Sequence, residues 1–323
     1  MTTRLMCIVV LAFTALLGAV AAPAQAPFPS RPIRVLVTIP PGGAPDISAR
    51  LIAHQLQETL GWSVVIENRP GANGNIAADA VAKSTPDGYM LLVSFTSHTI
   101  NATLYAKLPF DPVADFTPIT MIAKVPSLLV SHPKLPANDL RALIQLIKSN
   151  PDKLTIAIGG IGSSLHLAGE QFKMMTGTRL VNVPYRGTSP ALTDVLGGQV
   201  DLMFISLVTG TTQVQAGKLR GYGVTSAQRQ PSFPDLPAIG EVVPGFESNA
   251  WFGVFGPAKL PAAVADQLNA VIVSALNTPN LRERLKNEGA SVVGNTTAEF
   301  AEFVREDIKY WAPIVRQSGE IIN

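Results

Sequence analysis

Three times along the chain a short apolar, β-prone run passes through a loop of small residues straight into the start of a helix, at residues 40–46, 159–164 and 185–189. Strands that hand over to helices in this way build α/β layers, with parallel strands and ligands at the carboxyl ends of the sheet. Residues 33–39 (IRVLVTI) have the pattern of a buried strand, stopped by Pro40-Pro41-Gly42-Gly43. From about Asp46 a helix follows, with Ile47, Leu51, Leu56 and Leu60 on one face. A strand at 63–66, a turn-rich ENRPGANGN at 67–75, a short helix at 76–83 and a strand at 90–94 complete a β-α-β-loop-α-β opening.

The second half repeats the scheme without repeating the sequence. Residues 154–158 read as a strand, Gly159-Gly160-Ile161-Gly162 as a loop, and Ser163-Ser164 as the cap of a helix whose buried face is Leu165, Ala168, Phe172 and Met175. Further strands fall at 181–183, 200–205 and 219–224, and Thr188-Ser189-Pro190 opens a helix between the first two. A length of 323 residues suits two domains of roughly 150 each. The extended apolar stretches 125–131 and 250–256 are expected to be the two crossings between them. Lobe 1 is thus expected to comprise 27–125 plus 251–323, and lobe 2 to comprise 126–250. The last helix, from 297 to about 317, belongs to lobe 1, with lobe 2 as a second surface it could cover.

Composition narrows the function. Apolar residues make up 47% and charged ones 15%, which supplies a core and excludes a solvated disordered chain. A net charge of +2 with no Lys or Arg run gives no face for nucleic acid. The single cysteine, Cys7, excludes a disulfide scaffold and a Cys-based zinc site. It sits in an expected signal peptide, residues 1–24: Arg4, then the apolar run 7–22, then Ala22-Pro23-Ala24 as the cleavage pattern. Cleavage near Ala24 would send the mature protein to the periplasm, and no later stretch reaches the ~18 apolar residues of a membrane span.

Catalysis has no support. Gly162-Ser163-Ser164-Leu165-His166 lacks the Gly-x-Ser-x-Gly of a hydrolase elbow, and His54, His98, His132 and His166 have no zinc spacing. No phosphate loop or dinucleotide fingerprint occurs, so neither cofactor nor metal is expected. What remains is the recurring loop itself. Free amides at a helix start carry partial positive charge and favour an anion, glycines let it approach, and hydroxyls add uncharged donors. Facing loops of this kind could hold a carboxylate without an arginine. The same residues also serve as ordinary turn and cap chemistry, and Asp46 equally as a helix cap.

VTIPPGGAPDISAR (37–50), ENRPGANGN (67–75), SSLHLAGE (163–170) and VPYRGTSPALTDVLGGQVD (183–201) together resemble the Bug receptors, the substrate-binding proteins of tripartite tricarboxylate transporters. The resemblance runs from about Pro29 to the C-terminus. It implies a two-lobed periplasmic-binding-protein fold of type II kind, with parallel or mixed sheets flanked by helices and a hinge of two crossing segments. It also implies an organic-acid ligand in the cleft and membrane permease subunits as partner, with a sensor's outer domain as the alternative partner. Carried over residue by residue, the ligand-binding set is Gly42, Gly43, Ala44 and Asp46; Ser94, Thr96 and Ser97; Gly162, Ser163 and Ser164; Tyr185, Gly187 and Thr188; and Asp201 with Ser206. Asp201 has a second reading, in which it ties loops together. His166 matches a family histidine and is read as structural. Where the family often has an aromatic residue this chain has Ile39, a smaller wall.

Overall fold

Residues 28–287 and 289–322 are described by a computed structural model; the expected leader at 1–24 and its Cys7 lie outside them. Strand β1 (Ile33–Val37) buries Ile33, Val35, Leu36 and Val37. It pairs in parallel with β2 (Val64–Asn68) and β3 (Met90–Phe95). Parallel neighbours need crossovers, and α1 (Ala44–Leu60) and α2 (Asn75–Ala82) supply them. Helix α1 starts with Pro45 in its first turn and stops at Gly61, whose left-handed φ of 69° lets its amide reach Gln57. After β3 come α3 (Ser97–Leu104) and β4 (Phe116–Val125).

Pro126 then separates β4 from β5 (Ser127–Ser131), and the chain changes sheets between them. The second sheet has the order β7-β6-β8-β5-β9, built from β6 (Thr155–Ile158), β7 (Val181–Pro184), β8 (Leu202–Ser206) and β9 (Arg220–Val224) beside β5. Strand β6 is parallel to β7 and β8, whereas β5 is antiparallel to β8 and β9. Its helices are α4 (Leu140–Ser149), α5 (Ser164–Thr176), α6 (Thr188–Leu196) and α7 (Leu207–Gln215).

The chain returns on β10 (Ala250–Pro257), which inserts antiparallel between β3 and β4. Helices α8 (Ala262–Leu276) and α9 (Pro279–Asn287), the short β11 (Ser291–Val292) and α10 (Thr297–Ser318) follow, and the first sheet has the order β11-β4-β10-β3-β1-β2. Both sheets are therefore mixed. Ser127 and Thr225 stitch the start of β5 to the end of β9: Ser127 N donates to Thr225 Oγ1 at 2.8 Å and Thr225 N to Ser127 O at 2.9 Å.

Helix α10 spans both layers. Thr296 and Glu299 form a capping box at its start, and Gly319 ends it in the left-handed conformation. Its Phe300 and Val304 enter the core of the first sheet with Trp251 and Phe255. Trp311, Ile314 and Val315 pack with Ile100 and Leu104 of α3 and Leu167 of α5. The close seat of Phe300 requires glycine beneath it, since a Cβ at Gly253 of β10 would lie 2.4 Å from the ring.

Candidate functional site

The carboxyl ends of the parallel strands position the site. Over the first sheet β1 leads into α1, β2 through a 3-10 turn (Ala72–Gly74) into α2, and β3 into α3. Over the second, β6 leads into α5, β7 into α6 and β8 into α7. Each handover aims the first-turn amides of a helix, its positive end, at the same end of the sheet. The flank of one set meets the other: a Cβ at Gly162, ahead of α5, would lie 2.2 Å from Leu104 Cδ2 of α3.

Asp46 holds the first loop together. Gly42 N donates to its Oδ2 at 2.9 Å, Asn68 Nδ2 to its Oδ1 at 2.8 Å, and Arg50 Nε to both oxygens at 3.1 Å. Burial alone would push this carboxyl up, but the bonds from Arg50, Gly42 and Asn68 outweigh it and hold the carboxyl below its ordinary value. Asn68 also donates to Ile39 O at 3.0 Å, so the end of β2 clamps the loop after β1. Gly42, Gly43 and Ala44 stay accessible, and Gly43 caps α1 with no side-chain bond to its first-turn amides. At the third loop, Ser97 Oγ donates to Asn73 O at 2.8 Å, Thr96 Oγ1 accepts from Trp251 N at 2.8 Å, and Ser94 is buried opposite Gly253. Thr96 and Ser97 thus brace the loops from behind.

In the second lobe Ser163 Oγ caps α5 by accepting from His166 N at 3.2 Å, and Ser164 opens the helix. Buried Gly162 donates its amide to His166 Nδ1 at 3.1 Å. That bond puts the proton of a neutral ring on Nε2, which faces Glu170 Oε1 at 3.4 Å. Glu170 also receives Lys173 Nζ and Asn182 Nδ2, each at 2.7 Å. Its burial raises the carboxyl, yet the bonds from His166, Lys173 and Asn182 prevail and bring it down to about 2. The expectation that His166 is structural agrees with this chain of bonds.

Gly187 caps α6 without a side-chain bond, and Thr188 lies against Gly159, so the loops after β6 and β7 meet. Tyr185 donates its hydroxyl to Asp194 Oδ2 at 2.6 Å; that bond, with some burial, pushes the phenol up to about 12 and keeps it protonated. Ser206 ends β8 and donates to Thr209 Oγ1 at 3.0 Å.

Asp201 requires a correction. It precedes β8, at the amino ends of the parallel strands, whereas Ser206 stands at the carboxyl end, five residues or roughly 16 Å along the strand. Its Oδ2 accepts from Thr155 N at 2.8 Å and Thr155 Oγ1 at 2.9 Å, a tie between β6 and β8 on the far side of the sheet. The other expected residues gather at the carboxyl ends. Asn68 and Asn101, which secure the loops with the Asn73 carbonyl as an acceptor, were not expected at the site from the sequence; only the 67–75 motif hinted at Asn68.

A family model described as the tripartite tricarboxylate transporter family receptor matches residues 48–320. The chain belongs to that family. Among its relatives, protein BugT of Bordetella pertussis is 36% identical over 321 residues, covering 98% of each chain. A solved R. palustris protein with adipate is 36% identical with a TM-score of 0.78, over 90% of this chain and 98% of that one. MatC from Rhodopseudomonas palustris, solved with bound malate, is 34% identical with a TM-score of 0.75, over 89% and 100%. The receptor accordingly has the two-lobed periplasmic-binding-protein fold, and family and fold are those of solute-binding proteins. Among the described residues no helix is long and apolar enough to cross a membrane.

Proposed function

We propose that the receptor captures a small organic acid between its lobes and presents the closed form to the permease of a tripartite tricarboxylate-type transporter, working in the periplasm after loss of residues 1–24. The lobes are 27–125 with 251–323, and 126–250. The observation that carries the reading is that α1 and α6, one in each lobe, begin on the glycine caps Gly43 and Gly187 with no side chain on their first-turn amides. Such amides accept an anion without an added charge. Ala44, Ser163, Ser164, Thr188 and Ser206 line the same end with small groups and hydroxyls, while Asp46, Thr96, Ser97 and Gly162 hold the loops in shape. The relatives solved with adipate and malate support a dicarboxylate in particular.

A thermal-shift screen of the mature protein against organic acids tests this. A true ligand at a hundred times its dissociation constant adds about 2.7 kcal/mol of stability. Gly43→Leu, whose Cβ would displace only the flexible tip of the Ile39 side chain, should fold and lose at least about tenfold in affinity, or 1.4 kcal/mol. Undiminished affinity in a folded Gly43→Leu protein would remove the site from this place. Loss of labelled-acid uptake on deleting the protein tests delivery to the permease.

A further inference from the structure

A cavity of about 520 Å³ lies against the crossing segments on the side covered by α10, and none of the candidate cleft residues lines it. Its walls come from three elements: Lys124 on β4, Ser248, Asn249 and Trp251 at and ahead of the start of β10, and Phe303 and Asp307 on α10. The volume is that of a small-molecule site. Three polar atoms on its lining residues are buried without a partner, Ser248 Oγ on a residue only 4% exposed, Asn249 Oδ1 and Trp311 Nε1. A buried polar atom left unbonded is costly, and native structures rarely carry one without a use.

The chemistry of the walls favours a cation. Three carboxylates, Glu247, Glu306 and Asp307, face two ammonium groups, Lys124 and Lys309. Lys309 is taken by Glu306 at 2.7 Å. Asp307 Oδ2 accepts from Thr99 Oγ1 at 2.6 Å and Trp251 Nε1 at 2.8 Å, but among the described residues no basic group reaches ion-pairing distance of it. Burial pushes this carboxyl up to about 6, against the pull of the Thr99 and Trp251 bonds and of the Lys124 charge, which acts from beyond ion-pairing distance. Lys124 Nζ meanwhile stands 5.3 Å from the centre of the Phe303 ring, where the π face already holds the protein's own ammonium.

We propose that this cavity is a second binding site, for a small organic ammonium compound whose apolar body lies against Phe303, itself packed edge-to-face on buried Trp251 at 5.5 Å, and whose charged head meets Asp307. Ser248 Oγ and Asn249 Oδ1 supply the remaining acceptors. The site is independent of whatever occupies the cleft, so it stands or falls without reference to the organic acid.

Titration of the mature protein with 2-phenylethylammonium and with neutral 2-phenylethanol at neutral pH tests it. The amine should bind saturably, and the alcohol at least about tenfold more weakly. Asp307→Asn should weaken the amine by a similar factor, whereas Lys124→Met, which frees the ring face and removes a like charge, should tighten it. Melting curves confirm that each variant is folded, and Lys124→Met keeps the test alive if Asp307→Asn is not. No saturation below about 20 mM, equal binding of the alcohol, an unaffected folded Asp307→Asn protein, or weaker binding by Lys124→Met would each overturn the proposal.

Discussion

At the residue scale, buried charge in this receptor is spent on holding loops. Glu170 is held ionised inside the second lobe by His166, Lys173 and Asn182, and His166 passes that order on to Gly162. A carboxyl whose pKa falls on folding, here from 4.5 to about 2, adds stability that is complete above 4.5 and is lost as the pH drops through 2. Wild type should therefore melt at a higher temperature than Glu170→Gln at neutral pH, with the gap narrowing as the pH falls below 4.5. A gap independent of pH would show that Glu170 is not ionised in the folded state. His166 and Glu170 stand one helical turn apart in the sequence, which makes their contact readable. Asn182 is on another strand, and only the fold brings it there.

At the element scale the receptor leans on α10. Its Phe300 sits in a cluster with Trp251 and Phe255, at ring-centroid distances of 5.7 and 4.9 Å, over the glycine of β10. Phe300→Ala should cost about 3–5 kcal/mol in urea unfolding, because the aromatic cluster on a rigid strand cannot collapse into the space. A cost below about 1 kcal/mol would mean that α10 is dispensable to the first lobe. This helix was expected from the sequence at 297 to about 317, and the structure starts it on the Thr296–Glu299 box. Helix α3 was not: Ser97, Thr99, Ile100 and Thr103 are poor helix formers, and burial against Leu167 and Trp311 overrides their preference. The short helix α7 after β8 went unread for a similar reason, with Val208, Thr209, Thr211 and Thr212 in its first turns.

At the scale of the whole molecule, two sheets are joined by β4–β5 and by the return onto β10, and α10 lies across both. A ligand that contacts α1 and α6 together can only favour a form in which they are closer. Saturating organic acid should therefore reduce the radius of gyration in X-ray scattering, and a folded Gly43→Leu protein should show no such change at the same concentration. An acid that raises the melting temperature while leaving the scattering unchanged would leave binding intact and remove the hinge motion.

The sequence by itself determined the layered α/β architecture and the handovers from strand through small-residue loop to helix. Those features rest on local periodicity, turn chemistry and cap preference, which act over a few residues. Only the tertiary structure decided what each polar residue in those loops does. Asp201 and Ser206 are only five residues apart, yet they stand at opposite ends of one strand. Asp46 had two readings, a helix cap or a ligand contact, and Asn68 from the next strand and Arg50 from its own helix bond to it. The cavity beneath α10 draws its walls from residues 124, 248 and 307, and nothing local links them. Side-chain partners far apart in the chain are set by register and packing, which no short window of sequence contains.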